Sequence, residues 1–255
     1  MRLPHRAMLP SLFVLLSLSG SAQADGLSDL KAALARLHGQ APIKAVLEAR
    51  TWVRHGDGKD LEEDQGQASV SIDDNARGLQ IFYSKDMLAR VESEERAKEK
   101  DPKSKTPTLG AMREFDSNAL RPMIWAAANL SRMMEKAKLK TEKADTYNGK
   151  PARLLSFDIP IDSLSEKDKK YVKKFDGGID VWIAADGTPL GSRSHQNVSG
   201  RAFIVISFES KNEDEQVYQL VGDRLIAVRM VSSHSGSGAG EKMEARSTKT
   251  LQLQS

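Results

Sequence analysis

Cysteine is missing from this 255-residue chain, which excludes disulfide staples, thiolate metal sites and thiol redox chemistry. A long hydrophobic run is missing too. The longest apolar stretch, residues 9–18, falls short of the roughly 20 residues that a helix needs to cross a bilayer. An excess of one charge is also lacking: 38 Lys and Arg stand against 35 Asp and Glu, interspersed in sign, so the charges read as a solvated surface and no nucleic-acid partner is expected. There is no internal repeat beyond hairpins.

Catalytic and cofactor signatures are equally scarce. No Gly-x-Ser-x-Gly elbow occurs. His38, His55, His195 and His234 lie far apart without a His-x-x-x-His pair, so a zinc site has to be assembled by tertiary contacts, and surface or hairpin positions account for these residues more simply. Asp57, Asp60, Glu62, Glu63 and Asp64 lack the ligand order of an EF-hand and read as a solvated hairpin loop. The Gly-rich run 235–242 lacks the Gly-Lys-Ser/Thr ending of a phosphate loop and reads as a flexible connection over 234–240. Asn129-Leu130-Ser131 and Asn197-Val198-Ser199 are sequons that occur often by chance. No catalytic residue, metal or cofactor is expected, and the chain is expected not to be an enzyme.

What is present begins with an address. Arg2, His5 and Arg6 precede the apolar run, and Ala22-Gln23-Ala24 offers small residues before Asp25, the pattern of a cleavable signal peptide. The expectation is export to a periplasm, with a mature protein from Asp25, no lipid anchor and no transmembrane segment. Removing residues 1–24 takes away two arginines and no acid, lowering the formal charge from +3 to +1. The remaining 231 residues suffice for one domain with a sizeable core.

Ser28 precedes apolar positions Leu30, Leu34 and Leu37, with Gly39 as a stop: a short amphipathic helix. From Ile43 the period becomes two, with Ile43, Ala45, Leu47, Ala49, Thr51 and Val53 on one face, and this predicts a half-buried strand over 43–54. Further strands are expected over 68–72 and 79–83. Between about 84 and 138 the texture is helical. Ser84 caps a helix that dissolves into the charge run 92–101, and residues 98–108 read as an exposed, protease-sensitive loop. A second helix runs from about 117 or 122 to 138, with Met123, Ala127, Leu130, Met134 and Ala137 at three- and four-residue steps.

Beyond residue 139 the pattern is a β-meander. Asn148-Gly149, Asp186-Gly187 and Gly222-Asp223 are hairpin dipeptides between alternating strands. Ser165 caps a short charged helix over 166–174, and 201–208, apolar on both faces, predicts a central strand. A closing strand is expected over 248–253. The fold class is α+β: a strongly curved antiparallel β-sheet, a half-barrel, with helices packed on one face.

In the order of these features the chain resembles the LolA/LolB-like lipoprotein-carrier superfamily: export signal, short amphipathic helix over 28–37, long first strand, capping helices, and the hairpin Val181-Trp182-Ile183-Ala184-Ala185-Asp186-Gly187-Thr188-Pro189. The charged insert over 92–117 and the long helix after it depart from the compact carrier pattern. The resemblance implies a single domain over 25–255 that transports or binds lipid acyl chains in a hydrophobic cavity. Leu47, Val53, Met123, Ile124, Ala127, Leu130, Met134 and Val181 are the candidate lining. The expected partners are a lipid acyl chain or another envelope protein. The alternative is a structural or regulatory interaction module whose apolar face is filled core.

Overall fold

Strand β1 (Ile43–His55) buries Ile43, Ala45, Leu47 and Ala49 and leaves the intervening side chains at least partly exposed, the alternation of a strand with one covered face. It lies inside a ten-stranded antiparallel sheet of order β3-β2-β1-β10-β9-β8-β7-β6-β5-β4. The computed structural model describes residues 25–202 and 206–254; the expected export signal lies outside them. The other strands are β2 (Glu62–Asn75), β3 (Gly78–Phe82), β4 (Lys138–Tyr147), β5 (Lys150–Asp158), β6 (Val172–Ile183), β7 (Pro189–Ala202), β8 (Ile206–Val221), β9 (Arg224–Gly238) and β10 (Glu241–Leu253). The sheet is open. Its edges are the five-residue β3 and the exposed β4, where Lys138, Lys140 and Lys143 discourage pairing with another chain.

Six α-helices accompany it among the described residues: α1 (Gly26–Arg36), α2 (Lys85–Lys100), α3 (Pro107–Met112), α4 (Ser117–Ile124), α5 (Ala126–Met134) and α6 (Glu166–Lys169). No described helix is long and apolar enough to cross a membrane. Leu30 and Leu34 of α1, Leu120, Met123 and Ile124 of α4, and Ala126, Ala127 and Leu130 of α5 belong to one buried cluster with Leu47, Ile179, Val181 and Ile183 of the sheet. The fold is therefore α+β with its helical residues sharing the sheet's core.

Several sequence expectations change in detail. Asp25, not Ser28, caps α1: its carboxylate accepts from the Leu27 N–H at 3.1 Å, and the Ser28 hydroxyl donates to it. Helix α2 does not dissolve at residue 92 but runs to Lys100, helped by the Glu92–Arg96 pair at i,i+4. The segment expected as a loop over 98–108 shrinks accordingly, because Glu94 accepts from the Thr108 and Leu109 N–H groups at 3.0 and 2.9 Å and so caps α3 from outside. Gly66 lets α3 approach β2: an added Cβ there lies 2.7 Å from the Pro107 carbonyl oxygen. The long helix over 117–138 is two, broken at Trp125, whose φ of −119° and ψ of 57° are not helical. Helix α6 ends at Lys169, with β6 starting at Val172.

The central strand over 201–208 is not one strand. Arg201 and Ala202 close β7, Ile206 opens β8, and Ala202 pairs with Ile206 in an antiparallel register, so the chain reverses within the segment; residues 203–205 lie outside the described ones. The Gly-rich 234–240 run is not a loop either. It completes β9 and turns only at Ala239 and Gly240, at φ values of 55° and 86°. Asn148-Gly149 is the expected tight turn, both residues at positive φ. At Asp186-Gly187 the connection is longer, with the Ala184 N–H donating to the Thr188 carbonyl.

Polar clamps tie helices to sheet. Arg36 of α1 reaches Asp186 at 3.0 Å and Thr188 Oγ1 at 3.1 Å, and Arg153 of β5 pairs with Asp29 at 2.6 Å. Lys249, almost wholly buried on β10, meets Glu114 at 3.1 Å and donates to the Ala119 carbonyl. The most enclosed pair is Arg224 with Asp74, 3% and 4% exposed and 2.5 Å apart. Arg224 Nε also donates to the Ile124 carbonyl at 3.0 Å and Nη1 to the Ala41 carbonyl at 3.2 Å. Its guanidinium lies 5.9 Å from the Trp125 ring centroid, and Arg121 lies 5.6 Å from it.

Candidate functional site

The sequence-derived lining residues fall into two groups. Leu47, Met123, Ile124, Ala127, Leu130 and Val181 are buried in the common core cluster. Val53 and Met134 are half-buried, each in a separate cleft. Val53 lines one of about 700 Å³ with Thr51, Tyr83, Leu109 and Met112, between the lower part of β1–β2 and helix α3. Met134 lines one of about 400 Å³ with Lys31, Leu34, Ala35 and His38, at the seam between α1 and α5. The sheet thus brings six of the eight into one apolar body and sets two at its margins.

Register explains the grouping. Opposite residues in antiparallel strands share a face. One row of the core-bearing face runs Ala49, Lys249, Met230, Gln216, Ser192, Val181 and Leu155 from β1 to β5. Apolar residues dominate the two flanks of that row. Its middle is polar, and the rows below it are more so, a feature the apolar search missed. Its signal was in the sequence: β7 and β8 read polar on both faces over 192–197 and 209–216, so their alternation carries no apolar stripe.

In that middle, Ser192 and Tyr218 form a buried hydroxyl pair 2.7 Å apart. Burial pushes the Tyr218 phenol well above its ordinary range, opposed by the Ser192 hydrogen bond. At the sheet's upper end the Asp186 carboxylate is held below the usual range, chiefly by the Thr188 N–H that it accepts, with help from the Thr188 hydroxyl and Arg36. Asp145 is likewise lowered, by the Thr146 N–H and then the Trp182 indole N–H. These partners serve turns and strand packing. Among the described residues no cluster of His, Asp and Glu is arranged to hold a metal ion.

A further cleft, of about 460 Å³, opens where α5 ends over the sheet. Arg132, Met133, Glu135 and Lys136 form its helical wall, Ile159, Ser163 and Leu164 a second side, and Ser194, Gln196, Asn212 and Asp214 its floor on β7 and β8. One wall thus offers apolar surface continuous with the core, and the floor offers hydrogen-bonding groups. Comparison of the chain with family models, curated proteins and solved structures finds no match.

Proposed function

We propose that this protein is a non-enzymatic, exported carrier or binder of lipid acyl chains, working in the periplasm, and that the chain is taken up between the helices and a concave, half-barrel face of the sheet. The observation that carries this reading is the make-up of the helical layer over the core. It is split into short pieces at Trp125, mixes the small Ala126 and Ala127 and the flexible Met123 with Leu120, Ile124 and Leu130 at its buried positions, and is bordered by Met87, Met112, Met133 and Met134. Methionine adapts to irregular apolar contacts, and short segments separate from a sheet at less cost than one continuous helix. Concavity is supported by the Arg224–Asp74 pair, whose members belong to strands three places apart in the sheet, a separation of about 14 Å if the strands lay flat. Affinity then comes from burial, about 0.8 kcal/mol for each methylene removed from water.

A second reading is favoured by the complete burial of Leu47, Met123, Leu130 and Val181: the same face is filled core, and the protein is a structural or regulatory module that binds another envelope protein. Ala127→Trp separates the two. A face that opens for acyl chains accommodates the indole, loses binding of a fluorescent fatty-acid probe and keeps its stability. A filled core is overpacked at a cost of about 1–3 kcal/mol, and the wild type shows no saturable probe binding.

A further inference from the structure

The core-bearing face changes chemistry along its strands. Directly below Gln216, the row across β7, β8 and β9 is Ser194, Asp214 and Ser232, and the next row is Gln196, Asn212 and His234. Pairing and alternation put all six on the face that carries Val181, and all are half-buried. They are not a loose solvated fringe. Ser232 Oγ donates to Asp214 Oδ1 at 2.5 Å, and His234 Nδ1 lies 2.6 Å from Asn212 Oδ1, so cross-strand bonds hold the second and third columns in place. Ser194 and Gln196, in the first column, have no side-chain partner among the described residues. Gln216, at the head of the array and 4% exposed, leaves Oε1 unpaired there. A buried acceptor without a donor is costly. Beside Gln196 the Phe175 ring lies over Gly177, so close that an added Cβ there meets it at 3.0 Å.

We propose that the cleft between this floor and the end of α5 is a saccharide-binding site. A sugar hydroxyl donates and accepts at once, and the floor presents both functions: amides at Gln196 and Asn212, a hydroxyl at Ser194, and a carboxylate at Asp214 whose second oxygen accepts from a ligand. The apolar wall of Met133, Ile159 and Leu164 suits the C–H surfaces of sugar rings. Charge selects the neutral ligand. Arg132 and Lys136 are matched by Glu135 and Asp214 around the same cleft, and Lys136 already donates to the Asp162 carbonyl, so an anionic headgroup finds no net positive field. A volume of about 460 Å³ lies within the range of small-ligand pockets, roughly 300–1,000 Å³. The site stands independently of the acyl-chain reading, since none of the floor residues belongs to the apolar cluster.

The test is calorimetric titration of the exported protein with triacetylchitotriose and with maltotriose, and with glycerol 3-phosphate as the anionic probe. Saturable millimolar or tighter binding of at least one trisaccharide is expected, weakened about tenfold in Gln196→Ala and in Asn212→Ala and unchanged in Arg77→Gln on the exposed β2–β3 turn, with the unfolding midpoint of each variant measured alongside. Gln196 has no side-chain partner to lose among the described residues, so its variant decides the matter if Asn212→Ala proves unstable. Failure of both trisaccharides to saturate, undiminished binding in Gln196→Ala, or tighter binding of glycerol 3-phosphate that depends on Arg132 overturns the proposal.

Discussion

Replacing Arg224 with Ala strips the most enclosed polar junction of the fold. The substitution leaves the Asp74 carboxylate 4% exposed without its partner and removes the donors to the carbonyls of Ile124 and Ala41. Removing one member of a buried ion pair costs about 3–5 kcal/mol, mostly from the uncompensated charge left behind. For a domain of this size, each kcal/mol lowers the melting temperature by about 2–4 °C, so a drop of about 6–20 °C is expected. The double variant Arg224→Met with Asp74→Leu removes both charges and restores most of the loss, since an apolar replacement of a buried pair is often neutral. Urea titrations of wild type, the singles Arg224→Met and Asp74→Leu, and the double variant close the cycle and yield the coupling directly. The reasoning is refuted if Arg224→Ala lowers stability by less than about 1 kcal/mol, the level of an exposed ion pair, or if the double variant is as unstable as the sum of its singles.

Three further outcomes follow from single contacts. Gly149→Ala, at φ 76° with open space around an added Cβ, should lose about 1–2 kcal/mol from backbone strain alone; an unchanged urea midpoint would show that the turn relaxes. Glu94→Ala releases the N–H groups of Thr108 and Leu109, so trypsin should cut after Lys103 or Lys105 faster than in wild type, with both halves remaining associated through the sheet. Equal rates would show that Glu94 does not tether this segment. The buried Tyr218 phenol, with its raised pKa, favours the neutral form in the folded state; its contribution to stability is complete below the unfolded value near 10 and is lost above it. Stability should therefore fall less steeply above about pH 10 in Tyr218→Phe than in wild type, and identical slopes would contradict this assignment.

Local pattern made much of the sheet legible. Residues 43–49 alternate because one face is covered, and Asn148-Gly149 announces its turn because both residues must adopt positive φ. Tertiary pairing hid the rest. Gly236 and Gly238 disfavour a strand on their own, yet Gly236 is flanked by Ser210 and Met243 and carried by the ladders of β8 and β10. Residues 201–208 carry apolar side chains on both faces and look like one strand, but nothing in that composition marks the reversal between Ala202 and Ile206. The apolar stripe of 117–138 keeps its period across the break at Trp125, where the Arg121 and Arg224 guanidiniums flank the ring. For the candidate site, the helix and strand residues of the core stood out by periodicity. The polar rows on β7, β8 and β9 did not, because residues such as Asn212 and Ser232 carry no label for the face they occupy until register is known.

Mass spectrometry of lipid extracted from the protein, purified without detergent, tests the central reading most directly. An acyl-chain binder should carry lipid close to one chain-bearing molecule per protein, displaced by excess fatty acid and absent from Ala127→Trp. A protein that emerges free of lipid, and that fails to take up fatty acid when it is supplied, contradicts the carrier account and leaves the filled-core interaction module in its place.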